Sequence, residues 1–166
     1  MANLLDIVAG ITYPEKEILI PTDFKTLSKI GELELEIAAL GKDAEKEYEA
    51  LTKEKAELVS TVQDTSWTFT LRGLPSSLVK SIFNSKRSKI KDPSVRAEEI
   101  NREIIVTSIV RVVDHAQGPT EFDNDSLGKF LDAVPGDVVD KFLRTAEELS
   151  GKSLQYEYTV TDPNFS

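Results

Sequence analysis

The stretch SWTFTLRGLPSSLVKSIF, residues 66–83, changes period in its middle, and its reading decides the fold. Trp67, Phe69 and Leu71 alternate with Ser66, Thr68, Thr70 and Arg72, the pattern of a half-buried strand. Gly73 ends that run, and Pro75 opens a helix at a position where a missing N–H costs nothing. Leu78, Val79, Ile82 and Phe83 then recur at helical spacing. A strand therefore feeds a helix with almost no connector, and Trp67 and Phe69 are core residues on this alternation.

Upstream, KEILIP (16–21) is a short strand candidate ended by Pro21. Residues 66–72 pair most economically beside it, with everything between looping out as a charged helical segment. That segment, 22–62, is rich in Ala, Leu, Glu and Lys and has Thr22 or Asp23 as its N-cap. Leu27, Ile30, Leu33, Ile37, Leu40 and Ala44 recur by threes and fours. The register then skips, and Tyr48, Leu51, Leu58 and Val62 continue it. This is a coiled-coil-like stripe with one discontinuity at Gly41, where a bend or a tight helical hairpin is expected. The stripe is narrow and its far side charged, so the helix needs a neighbour.

Residues 1–14 show no period. NSKRSKIKDPSVR (84–96) reads as a polar, basic loop. The run 96–116, opening RAEEINRE, reads as a buried central helix, although Ile104, Ile105, Val106, Ile109, Val110, Val112 and Val113 are β-branched and favour strand. DSLGKFLDAV (125–134) and PGDVVDKFLRTAEEL (135–149) are two further helices, the second stopped by Ser150-Gly151. The tail 153–166 forms an edge strand at YEYTV or stays loose. The fold class is thus mainly α with a small β element, α+β. An N-terminal extension (1–21) and a charged amphipathic segment (22–65) precede a helical domain (66–150) and a tail (151–166).

Composition excludes several functions. With no cysteine there are no disulfides, thiolate zinc sites or cysteine nucleophiles. MANLLDIVAG lacks the flanks of a secretory signal, and no apolar run approaches the ~18 residues of a membrane span. The net charge of −9 is uneven: residues 1–71 and 112–166 are acidic, and 72–111 are basic. Such a chain is a poor general ligand for phosphate, but its subunits can dock acidic on basic.

No catalytic constellation surfaces. The single histidine, His115, has no G-x-S-x-G partner, and no GxxxxGK[ST] or GxGxxG stretch is present to hold phosphate. EFDND (121–125) alternates acids, and Gly128 fits a calcium loop begun at Asp123, but Val134 stands where the closing glutamate belongs. N-capping of the following helix is the expectation there. KRSKIK (86–91) has no interleaved aromatics and reads as solvated. Neither an enzyme nor a cofactor nor a bound metal is expected.

Taken together, WTFTLRGLP (67–75), the helix SSLVKSIF (76–83), the apolar INREIIVTSIVRVV (100–113) and the pair LGKFLDAV and VVDKFLRTAEEL resemble the tail assembly chaperones of long-tailed, siphovirus-type phages, especially those infecting actinobacteria. The resemblance covers about residues 30–150, and the basic stretch 84–96 departs from the acidic, Pro-rich loop of that family. It implies a transient, non-enzymatic protein of the host cytoplasm that binds the tape-measure protein, self-associates around it, and yields to tail-tube protein. Within that expectation the partner-binding surface is the stripe Leu33, Ile37, Leu40, Tyr48, Leu51 and Leu58. A structural head–tail connector or minor tail protein is the alternative. A nucleic-acid-associated regulator using Lys86, Arg87, Lys89 and Lys91 is the third class.

Overall fold

The computed structural model describes residues 3–161. The elements in chain order are α1 (Leu4–Ala9), β1 (Glu15–Ile20), α2 (Phe24–Ala39), α3 (Glu45–Asp64), β2 (Trp67–Arg72), α4 (Ser76–Lys89), α5 (Pro93–Ser108), β3 (Ile109–Asp114), β4 (Gly118–Pro119), α6 (Asn124–Ala133) and α7 (Gly136–Thr161). The chain is mostly helical with one four-stranded sheet in the order β1-β2-β3-β4, an α+β protein. β2 lies beside β1, the pairing expected from sequence. The Gly73 amide donates to Pro14 O (3.0 Å) at one end, and the Thr22 hydroxyl to Thr65 O (2.9 Å) at the other, so β1 and β2 run antiparallel. β4 pairs antiparallel with β3 in the register Val113↔Pro119 and Asp114↔Gly118. Gly118 sits at φ 92°, a backbone that a side chain resists.

Contacts divide the chain into two units, residues 1–18, 70–111 and 121–166, and residues 19–69 and 112–120. In the first, α5 packs against α4, α6 and α7. Ile104, Ile105, Leu71 and Phe142 are buried there, and Phe142 meets Phe130 edge to face at 6.3 Å. In the second, α2 and α3 pack on each other.

Several sequence expectations need correction. The central helix stops at Ser108, and Ile109–Asp114 continues as β3. The Ser108 hydroxyl bonds back to Ile104 O (2.7 Å), and the β-branched run beyond takes the extended form that its side chains favour. The basic stretch is not a loop: α4 runs on through NSKRSK to Lys89. Lys86, Arg87 and Lys89 occupy its last turn, where cations complement the helix dipole. Arg96 then donates Nε to Ile90 O and Nη2 to Lys91 O, satisfying carbonyls at that end.

Residues Leu4–Ala9 form a helical turn and a half, although they show no period; Asn3 Oδ1 accepts from Leu5 N at 3.1 Å. Ser150-Gly151 does not stop the last helix, and YEYTV is helical rather than an edge strand. Ser150 serves a neighbour instead, its hydroxyl donating to Ala146 O and accepting from Leu74 N. Ser66 and Thr70, placed on the polar face of the strand, are buried along with Phe69 and Leu71, whereas Trp67, expected in the core, is only half-buried. Asn164 to Ser166, with Asp162 and Pro163, lie outside the described residues.

Electrostatics pins α5 to α6. Arg102 donates Nη2 to Gly128 O (2.7 Å) and to Asp132 Oδ2 (2.9 Å), with Nη1 on Asp132 Oδ1. The hydrogen bond from Arg102 holds the Asp132 carboxyl below the usual carboxylate range, and the same bond raises Arg102. A carboxyl whose folded pKa is lowered stabilises the fold above its unfolded pKa of ~4 and loses that contribution as pH falls through the folded value. Urea midpoints measured from neutral to acid pH should therefore decline below about pH 4, and Asp132→Asn should flatten part of that decline. The group is exposed, so the share is modest and shrinks in salt. An acid limb identical in wild type and Asp132→Asn would refute the assignment.

Candidate partner-binding surface on the helical hairpin

The segment 22–65 is a hairpin. Asp23 caps α2: its carboxylate accepts from Thr26 N (3.0 Å) and from the Thr26 hydroxyl (2.6 Å). The Thr26 hydroxyl bond, then the backbone bond, holds the Asp23 carboxyl below its ordinary value. α2 ends where Leu40 turns extended, and α3 starts at Glu45, so Gly41 falls in the turn, the hairpin option at the register skip. The Thr22 hydroxyl on Thr65 O closes the base of the hairpin. Lys29–Glu54 (3.7 Å) and Lys55–Glu34 (3.1 Å) bridge the two helices. Both pairs are largely exposed and fix register more than they stabilise.

Near the turn an open groove of about 480 Å³ is lined by Glu36, Ala39 and Leu40 at the end of α2 and by Glu47, Ala50 and Leu51 of α3, with the leucines half-buried and the alanines exposed. Two of the six stripe residues, Leu40 and Leu51, meet there. Leu33 is buried in this unit and unavailable to a partner, while Ile37 and Leu58 are half-buried. Tyr48 is 51% exposed on the first turns of α3. Ala39 and Ala50 lie outside the pattern of bulky side chains that defines the stripe; small residues beside such a stripe are the signal for a place where two helices leave room. Leu35 lies outside the stripe too, exposed because the alternation ELELE turns it away from Leu33.

His115 follows β3, with Nε2 2.7 Å from the Thr68 hydroxyl and Nδ1 3.2 Å from Gln63 O. Its partners are a hydroxyl and a carbonyl, and together they tie the end of β3 to Gln63 at the end of α3 and to Thr68 on β2. Asp123 caps α6 in a reciprocal box with Ser126, whose amide lowers the Asp123 carboxyl below its usual range. Among the described residues no group of three or more His, Asp or Glu converges as metal ligands, and no helix is long and apolar enough to cross a membrane.

Architecture defines the class: an α+β protein in which a charged helical hairpin is inserted between neighbouring strands of a small sheet. Comparison of the chain with protein-family models, curated proteins and solved structures finds no match.

Proposed function

We propose that this protein is a phage tail assembly chaperone, a non-enzymatic binding protein that shields apolar helical segments of the tape-measure protein in the host cytoplasm. One observation supports the proposal beyond the sequence resemblance: the groove of Ala39, Leu40, Ala50 and Leu51 between α2 and α3, with Glu36 and Glu47 beside it. An amphipathic helix laid there would complete a coiled-coil-like packing of three helices, its apolar side chains entering the groove. Carboxylates at the rim favour a partner with lysine or arginine beside its apolar stripe, and they keep the loaded complex soluble. The small exposed side chains of Ala39 and Ala50 let a partner backbone approach closely. The chain would act by covering surface, with no bond made or broken.

Co-expression with the tape-measure protein tests it. Wild type should raise the soluble yield of that partner. Leu51→Glu, which sets a charge in the half-buried groove floor, should weaken the complex at least tenfold, read by pull-down, while far-UV circular dichroism stays unchanged. No gain in the partner's solubility with wild type would sink the proposal.

A further inference from the structure

We propose a second interaction surface, distinct from the hairpin groove: the EFDND loop of one copy (residues 121–125) seats in a basic groove between α4 and α5 of a second copy. The groove measures about 350 Å³ and is lined by Phe83, Arg87, Pro93, Arg96, Ala97 and Ile100, with two asparagines beside them. Its floor is apolar, for Ile100 is buried and Phe83 is 48% exposed at the edge.

Two guanidiniums face this floor, in different states. Arg96 is fixed by its bonds to Ile90 O and Lys91 O, so its charge is pre-positioned. Lys86 nearby is spent on Glu103 (3.0 Å) and Glu99 (3.8 Å). Arg87 is exposed, and among the described residues no acid pairs with it. From residue 76 to 91 there are five bases and no acid. The groove thus selects a short segment with one large apolar side chain flanked by carboxylates.

This chain displays such a segment. Glu121-Phe122-Asp123 precedes α6 with all three residues exposed, and Phe122 is 37% exposed between its acids. Asp123 is engaged as the cap of α6 and Asp125 with Lys129 (2.8 Å), which leaves Glu121 as the carboxylate without an ion-pair partner among the described residues. Phe122 matches the apolar lining of Phe83, Pro93 and Ala97, its ring available to the guanidiniums. Glu121 matches Arg87 as a charge-assisted pair. A polyphosphate chain would meet the same two arginines, but the net charge of −9 opposes a long anion while admitting a short acidic loop. The contact joins unlike surfaces, so each copy offers one loop and one groove and association propagates head to tail. One loop in one groove covers much less than the ~1,200–2,000 Å² of a stable interface, so assembly is concentration-dependent and salt-sensitive.

Sedimentation velocity of the full chain, from micromolar to millimolar and at low and high salt, tests this. Wild type should associate at low salt and high concentration. Arg87→Glu and Glu121→Arg should each weaken association at least tenfold. Mixing the two variants should restore it, because each copy then meets a re-matched or intact partner surface. Phe122→Ser should weaken it as well, and unchanged melting curves show that the variants fold. A monomer under every condition overturns the proposal, as does association indifferent to all three substitutions or a mixture that stays dissociated. Binding of a single-stranded oligonucleotide lost in Arg87→Glu, with self-association untouched, assigns the groove to nucleic acid and also overturns it. No tape-measure protein enters the experiment, so its outcome is separate from that of the hairpin groove.

Discussion

Gly73→Ala should destabilise the protein by about 3 kcal/mol, a large effect for one methyl group. A Cβ built at Gly73 lies 2.6 Å from Leu149 O and 3.0 Å from Leu149 C, both backbone atoms of α7. No rotamer can relieve that contact, so β2 or α7 must move. Moving either disturbs its neighbours: the Gly73 amide donates to Pro14 O, and Leu74 N donates to Ser150 Oγ. Gly31→Ala is the matched control. Gly31 lies inside α2 with nothing within 4 Å of its added Cβ, so there alanine should stabilise by about 1 kcal/mol through helix propensity. Urea denaturation of the two variants against wild type measures both signs. Equal stability of Gly73→Ala and wild type would mean that β2 and α7 are not packed as described.

Phe142→Ala should lose about 3–5 kcal/mol, the cost of emptying a large buried site. Phe142 is fully buried on α7 and meets the ring of Phe130 on α6 at an interplanar angle of 86°. Truncation removes both the apolar burial and the edge-to-face contact. Total stabilities of such domains are about 5–15 kcal/mol, so this loss is a large part of the whole. Guanidinium or urea midpoints report it directly, and a change below about 1 kcal/mol would refute the assigned packing. The hairpin groove belongs to the other unit, so under the proposed function its affinity for a helical partner should change only as far as the folded fraction does.

Much of the fold was legible because local signals agreed with one another. WTFTLR alternates, Pro75 follows it, and the strand and helix appear where those residues put them. Asp23 and Asp123 are caps, as their positions before apolar runs required. Legibility failed where two signals competed within one run. In 96–116 the helical opening and the β-branched end both held true, each for half of the segment, and no glycine or proline marks the change at Ile109. In 84–89 polarity was mistaken for irregularity, although lysine and arginine are good helix formers. Gly151 carries the usual stop residue but lies mid-helix, because a glycine weakens a helix without obliging it to end.

The candidate surface was legible in outline only. A period of three and four identifies Leu40 and Leu51 as stripe residues but not that Leu33 is buried while Tyr48 faces water. That difference depends on where two helices separate, a property of their pairing and not of either helix alone. The basic groove was still harder to see. Phe83 and Arg96 lie thirteen residues apart on two helices, and only the folding of α4 onto α5 sets an aromatic ring among those cations.

The clasp of Thr22 on Thr65 gives the hairpin a fixed footing: both ends are tethered where neighbouring strands begin and end. A hairpin closed this way is adjustable in length. Matched whole turns added to both helices would lengthen it by about 5.4 Å each and leave the pairing of β1 with β2 as it is. Hairpin length is thus a dimension that can drift or be tuned separately from the sheet.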